Sequence, residues 1–441
     1  MLFGRRLQFL MTKLGLGGGA TPAAEGATAA RPAPAKSALP SGAGTSSIFF
    51  RSPDFEFLAQ IALGRTQAGA GDVGRTLYLF SQIKDGDHDS AFDVFRGAGD
   101  AAKADAEARL AAGHRESARF LYLAAQNYYD AAGYFADGSS DPSRFEPTWE
   151  LLYDCFVAAA PLFSPAIEPV LIPYEGTQLR GFHFRGASTA PQRPLLILVN
   201  GSDGSVLDMW GQGAMAGIAR GYDCLTFDGP GQGYALWKQN LHFRPDWEKV
   251  IGPVIDFALT LPGIDPKRIA VQGVSQGGYW APRAAAFEKR IAAVVADPGV
   301  VDVSTSWTGH LPGPFRAMLD GGHKLEFDTA MATMLPAAIK ASIAFRMRPF
   351  GYASYYDAFR ATEAYNLTEI AGQITCPVLI TEPADEGFWP GQAQQLYDLV
   401  KAPKTLVRFT AAEGASLHCE PMAPGLRNVR IFDWLDETLK A

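Results

Sequence analysis

The sequence predicts an α/β fold, a mostly parallel sheet covered on both faces by helices and preceded by an all-helical region. Three observations predict it. Residues 54 to 163 place apolar side chains at three- and four-residue spacing, with little β-type alternation. From Glu168 onward, short apolar runs alternate with helix-length segments, the pattern of parallel strands joined by crossover helices. One such run, Ile269 to Gln272, ends in Gly273-Val-Ser275-Gln-Gly277 and passes directly into a helical segment. Glycines two residues before and after a serine permit a sharp strand-to-helix turn. That turn holds the alcohol out of regular structure, where a base can reach it.

The chain has 441 residues, enough for a sizeable core and more than one compact unit. It is 47% hydrophobic and 19% charged, the balance of a globular enzyme rather than of a disordered or fibrous chain. A net charge of −7 without a dominant basic patch gives no reason to expect a nucleic-acid partner. Cys155, Cys224, Cys376 and Cys419 are scattered, with no Cys-x-x-Cys pair, which argues against a disulfide framework and a structural zinc. No metal and no cofactor are expected. No apolar run is long enough to cross a bilayer.

Residues 1–46 are expected to form a flexible leader, because Gly, Ala, Pro, Ser and Thr dominate from 17 to 46. The expected compartment is the cytoplasm. Arg5-Arg6 ahead of an apolar patch leaves export open, with residues 1–30 as the signal. Residues 47–164 form the helical region, with helices expected at Asp54–Leu63, Val73–Ile83, Ala91–Ala112, Glu116–Phe135 and Phe145–Ala159. Tyr128 and Tyr129 on the fourth of these are candidate substrate contacts, set against a reading as helix core. Asp85, Asp87 and Asp89 lack the remaining ligands of a calcium loop and are expected to form a solvated turn.

Residues 165–298 and 376–441 carry the sheet. Strands are expected at Glu168–Pro173, Leu179–Arg185, Leu195–Asn200, Asp223–Phe227, Ile269–Gln272, Ile291–Ala296, Pro377–Thr381 and Thr405–Phe409. Helices are expected between them at Leu207–Arg220, Asp246–Leu261, Gln276–Arg290, Gln392–Val400 and Leu426–Leu439. Residues 299–375 interrupt the alternation with helical runs, Asp328–Arg346 and Tyr355–Ala364, rich in Met, Phe and Tyr. They are expected to form a second cap over the C-terminal edge of the sheet. Two antiparallel strands, then a parallel run with the serine turn after the fifth strand, is the order of an α/β-hydrolase fold with eight strands.

That fold places a base after the last strand and an acid after the seventh. His418 is the histidine in the first position. In the second, Asp385 is the expected acid. Glu386 adjoins it and is expected to point elsewhere, and Glu382 is nearer the strand and expected to be structural. Asp302, after the sixth strand, is the alternative acid. His418 would take the proton of Ser275 while Asp385 fixes the imidazole. The oxyanion would be bound by the backbone N–H of Gln276 and by that of Ser202 or Asp203 in Asn200-Gly-Ser-Asp-Gly204. Trp307 and Trp389 are further candidate substrate contacts. The glycine-rich Asp228-Gly-Pro-Gly-Gln-Gly233 lacks the Lys-Ser/Thr of a phosphate loop and is expected to pack near the serine turn.

Further segments carry a family resemblance over residues 50 to 440. They are Ser117-Ala-Arg, Asn127-Tyr-Tyr, Ile172-Pro-Tyr-Glu-Gly, Phe227-Asp-Gly-Pro-Gly-Gln-Gly, Phe243-Arg-Pro-Asp-Trp-Glu, Gly273-Val-Ser-Gln-Gly-Gly, Arg283-Ala-Ala-Ala-Phe-Glu and Glu413-Gly-Ala with His418-Cys. The sequence resembles the α/β-hydrolases with an N-terminal helical domain, which include 2,6-dihydroxypseudooxynicotine hydrolase and the fungal polyketide-shortening hydrolases. The resemblance implies a Ser-Asp-His triad on Ser275, Asp385 and His418, and hydrolysis of a carbon–carbon bond beside a ketone or of an ester. The expected substrate is a medium-sized apolar or aromatic small molecule, and a homodimer is the expected assembly. The alternatives are a peptidase of prolyl-oligopeptidase type and a non-catalytic protein on the same scaffold.

Overall fold

The computed structural model describes residues 47–309 and 311–440, so the expected leader and any export signal within residues 1–46 lie outside the described residues. The N-terminal region is helical: α1 Pro53–Gly64, α2 Val73–Gln82, α3 His88–Ala111, α4 Arg115–Ala136 and α5 Phe145–Ala159. The aspartates of the 85–89 turn serve helix ends. Asp87 caps α3 by accepting the Ser90 N–H at 3.0 Å, and Asp85 accepts the N–H of Arg51 at 2.8 Å. Asp89 accepts the N–H and hydroxyl of Ser140.

Eight strands follow: β1 Glu168–Tyr174, β2 Thr177–Phe184, β3 Arg193–Val199, β4 Asp223–Phe227, β5 Ile264–Val274, β6 Ala293–Asp297, β7 Val378–Pro383 and β8 Lys404–Phe409. They lie in the order β1-β2-β4-β3-β5-β6-β7-β8. β2 runs antiparallel to β1 and β4, and the remaining neighbours are parallel. The order reverses direction between β3 and β5. The loops leaving those two strands diverge there, and a crevice opens at their carboxyl ends.

Alternation along β3 sends side chains to two cores. Leu195, Ile197 and Val199 pack with Trp247, Ile251 and Trp280 on one face. Leu196 and Leu198 pack with Phe156, Phe182, Phe432 and Leu435 on the other. Every residue of β3 is buried, and each such aliphatic side chain contributes about 1.5–3 kcal/mol. Helices α6 Glu248–Ala258 and α7 Gly277–Phe287 cover the first face. α5 from the N-terminal region covers part of the second, so that region shares a core with the sheet.

Between β6 and β7 lie α8 Gly313–Asp320, α9 Lys324–Met334, α10 Ala337–Met347 and α11 Tyr355–Thr362. The single helix expected over Asp328–Arg346 is two. Leu335 is extended, with ψ of 140°, as a residue before proline prefers, and Pro336 then opens α10. The helix expected over Leu207–Arg220 is also shorter. A wide turn at Trp210–Ala214, with Gly213 outside helical geometry, precedes a helical turn at Met215–Ala219. α12 Gln392–Leu399 and α13 Pro424–Leu439 complete the chain. Among the described residues no helix is long and apolar enough to cross a membrane.

Candidate active site

β5 delivers Ser275 at its carboxyl end, with α7 starting two residues later. Ser275 has φ of 58°, a left-handed conformation that costs energy for any residue with a Cβ. Flanking bonds hold it there: its N–H donates to Asp297 O at 2.7 Å and its own carbonyl accepts from Gly278 N–H at 2.8 Å. Gly273 is required by close approach, since a Cβ there would lie 1.9 Å from the carbonyl oxygen of Gly277.

His418 stands in the loop between β8 and α13. Its Nε2 is 2.9 Å from Ser275 Oγ. Its Nδ1 is 2.7 Å from Glu386 Oε2, so the expected acid, Asp385, is not the partner. Asp385 is exposed and its backbone N–H donates to Ser416 O, turning its side chain outward. Neighbouring residues in this turn face opposite ways, and the longer Glu386 side chain reaches inward. Glu386 Oε1 accepts the N–H groups of Phe388 at 2.7 Å and Trp389 at 3.3 Å, which leaves Oε2 to the imidazole. Both side chains of the pair are buried, at 5% and 7% exposure. Burial by itself would raise the Glu386 pKa. The His418 charge, its hydrogen bond and the two backbone N–H groups outweigh burial and hold the carboxyl below its ordinary value. Asp302 is engaged elsewhere, accepting the N–H and hydroxyl of Ser304. Glu382 pairs with Arg408.

The loop after β3 lies against the serine. A Cβ on Gly201 would come within 2.6 Å of Ser275 Cβ, so only glycine fits. The Gly201 N–H is taken by Asn200 Oδ1 at 2.7 Å, which leaves Ser202 and Asp203 as the next donors along the chain. The glycine-rich 228–233 loop packs beneath. Gln232 Nε2 donates to the carbonyls of Asn200 at 2.8 Å and Gly201 at 3.0 Å. The buried Asp228 accepts from Val206 and Tyr234 N–H, and burial pushes its pKa up to about 6. Gln276 is the N-cap residue just before α7, and its N–H is among those a helix start leaves without an intrahelical acceptor.

Ser275 and His418 open onto a cleft of about 1140 Å³ that includes its open mouth. Phe57, Leu58 and Ile61 of α1, Tyr134 of α4, Arg346 of α10 and Phe388 line it. A second lobe brings Ser202, Asp203 and Gln276 together with Trp307 and Trp389 beside Ser275. Tyr128 and Tyr129 do not reach the serine's cleft. They are 3% and 1% exposed within the helical core, and the Tyr129 hydroxyl donates to Asp100 at 2.7 Å. The tyrosine of α4 that faces the cleft is Tyr134. Phe388, whose ring centroid lies 4.0 Å from that of His418, was also missed by sequence reasoning. Its only signal was its place two residues after Glu386.

A family model described as acetyl xylan esterase (AXE1) matches residues 174–303. The chain is 32% identical over 420 residues to the α/β hydrolase psoB of Aspergillus fumigatus, covering 88% of this chain and 94% of that one. It is 32% identical over 424 residues to the hydrolyase poxO of Penicillium oxalicum, covering 89% and 98%. The solved structure of 2,6-dihydroxy-pseudo-oxynicotine hydrolase superposes with a TM-score of 0.64 at 21% identity, covering 85% of this chain and 95% of that one. That last likeness is one of fold. With an eight-stranded sheet in this order and relatives matched over nearly their whole length, the chain belongs to the α/β-hydrolase family and is a hydrolase.

Proposed function

We propose that the protein is a serine hydrolase that cleaves an ester, or a carbon–carbon bond beside a ketone, through Ser275, His418 and Glu386. The observation that carries this reading is the continuous chain from Ser275 Oγ to His418 Nε2 at 2.9 Å and from His418 Nδ1 to Glu386 at 2.7 Å, at the floor of a cleft. His418 accepts the serine proton as Oγ attacks the substrate carbonyl. Glu386 keeps the imidazole in the tautomer that presents Nε2 as acceptor, and stabilises the imidazolium. The tetrahedral oxyanion is met by the Gln276 N–H and by a donor from Ser202 or Asp203. The imidazolium then protonates the leaving oxygen or carbon, and water releases the acyl group by the reverse sequence. Phe57, Leu58, Ile61 and Phe388 make much of the wall apolar, which supports a medium-sized apolar or aromatic acyl donor.

A peptidase of prolyl-oligopeptidase type carries a β-propeller ahead of its hydrolase unit, whereas α1 to α5 precede the sheet here. The proposal is tested by incubating the purified protein with p-nitrophenyl esters and with β-diketone or acyl-phenol substrates. Fluorophosphonate labelling of the wild type and of Ser275→Ala runs alongside. Turnover of at least one class, with labelling confined to the wild type, is expected. Turnover of neither class without labelling would overturn the proposal.

A further inference from the structure

The loop after β3 supplies the second oxyanion donor, so whatever holds that loop sets the geometry of the proposed reaction. Its inner side is held by the hydrolase core. The Asn200 amide bonds Ser205 O, Gln232 bonds two of its carbonyls, and Asp208 Oδ2 accepts the Ser205 N–H at 2.9 Å. Its outer side is held from elsewhere. Arg65, just beyond α1, places Nη2 at 2.7 Å from Asp208 Oδ1 and also pairs with Asp130 of α4. Arg346, near the end of α10, pairs with Asp203. Two helical regions widely separated in sequence thus reach the same short loop, each through one arginine. The side chains of Arg65 and Asp208 are 16% and 5% exposed, and those of Arg346 and Asp203 are 12% and 32% exposed. The Arg65–Asp208 pair, largely buried on both sides, is costly to leave half-made and holds its loop residue firmly, while Arg346 reaches a partly exposed Asp203 from a buried position. Both arginines line the cleft that contains Ser275.

Charge gives a second reason. Asp203 lines the lobe that holds Ser275 and Gln276, where negative charge develops on the oxyanion. A bare carboxylate there would oppose the transition state, and the Arg346 guanidinium neutralises it. We propose that Arg65 and Arg346 are positioning residues of the oxyanion loop, so that the two helical regions complete the hydrolytic site as well as covering it. This inference rests on the serine-hydrolase reading.

The test uses the full chain with two esters, p-nitrophenyl acetate, which is too small to fill the cleft, and p-nitrophenyl octanoate. Arg346→Gln, Asp203→Asn, Arg65→Gln and Asp208→Asn are each expected to lower kcat on both esters by about ten- to a hundred-fold, below the 10²–10³ of losing an oxyanion donor outright. KM should change little, and Arg346→Lys should recover part of the loss. Arg346→Gln combined with Asp203→Asn should fall no further than the worse single variant, because the arginine acts through the aspartate. The rate of fluorophosphonate labelling of Ser275 should fall in parallel. Circular dichroism and Tm establish that each variant is folded. If an Arg65 variant does not fold, the isosteric Asp208→Asn still decides the Arg65 contact, as Asp203→Asn decides the Arg346 contact. Folded variants with wild-type kcat on the acetate ester and raised KM on the octanoate would overturn the inference, making the arginines substrate contacts. Folded variants with a lower Tm and unchanged kcat on both esters would overturn it equally, making the pairs structural staples. A wild type that neither labels nor turns over either ester fails the underlying reading, and the inference falls with it.

Discussion

Ser275 sits in a left-handed backbone conformation that its neighbours over-determine, with φ of 58° and bonds to Asp297 and Gly278. Removing its hydroxyl by Ser275→Ala should lower kcat by roughly 10⁴–10⁶-fold while leaving the far-ultraviolet dichroism unchanged. Glu386 and Asp385 form the sharpest test at this scale. Glu386→Gln leaves a neutral group on His418 Nδ1 and favours the wrong tautomer, so kcat should drop about 10⁴-fold. Asp385→Asn, exposed and away from the imidazole, should stay within about twofold of wild type. A reversal of these two results in steady-state assays would reassign the acid. Ser275 and His418 were legible in the sequence, from a turn motif and from a position after the last strand. The choice between adjacent carboxylates was not, because the sense of the turn after β7 decides which one faces inward, and the Asp385 N–H bond to Ser416 O sets that sense.

The segment that carries His418 is the element to watch. Cys419 and Glu420 both have positive φ, 57° and 44°, and the Glu420 side chain is fully buried beside Asp297. Arg427 of α13 ties the segment down, with Nη1 at 3.1 Å from Cys419 O and Nε at 3.9 Å from Asp297 Oδ2. Burial first, then the Asp297 charge, pushes the Glu420 pKa well above its ordinary value, while Arg427 opposes the shift. The folded state therefore keeps a proton that the unfolded chain releases near pH 4.5. The stabilisation from that proton is full below the ordinary glutamate range and is lost as pH rises through the raised folded value. Glu420→Gln keeps the shape without the ionisation. Its Tm should fall less than that of wild type between pH 5 and pH 9, in thermal melts followed by dichroism. A wild-type pH dependence in the variant would show that Glu420 does not carry the effect. α10 also shows how a local rule escaped the periodicity. The apolar spacing runs on through Leu335-Pro336, but a residue before proline is extended, and the break sets the start of the helix that brings Arg346 to Asp203.

At the scale of the molecule, the helical regions and the sheet are not separable layers. Phe156 and Leu152 of α5 share a core with Phe182 and Leu196 of the sheet, and the Trp210 indole donates to Ala68 O at 3.0 Å. A chain beginning at residue 165 should therefore expose an apolar face, bind a hydrophobic dye and lose cooperative unfolding. It should also lose turnover of even p-nitrophenyl acetate, since Arg65 would be gone from Asp208. A cooperatively folded, active 165–441 fragment would contradict this. All four cysteines are buried and unpaired, so none of this architecture is held by disulfides.

The sequence by itself determined the order of helices and strands, the eight-stranded sheet, the serine turn and the histidine that faces it. These follow from periodicity, turn chemistry and chain order, which are local properties or simple sequences of local properties. Tertiary structure decided which carboxylate meets His418, which tyrosine of α4 faces the cleft, and what grips the loop after β3. Each depends on a direction or a contact between distant segments: the turn after β7, the rotation of α4, and the approach of Arg65 and Arg346 to one loop. A one-dimensional pattern specifies that a helix has an inner face. The packing of other elements against it specifies what that face touches.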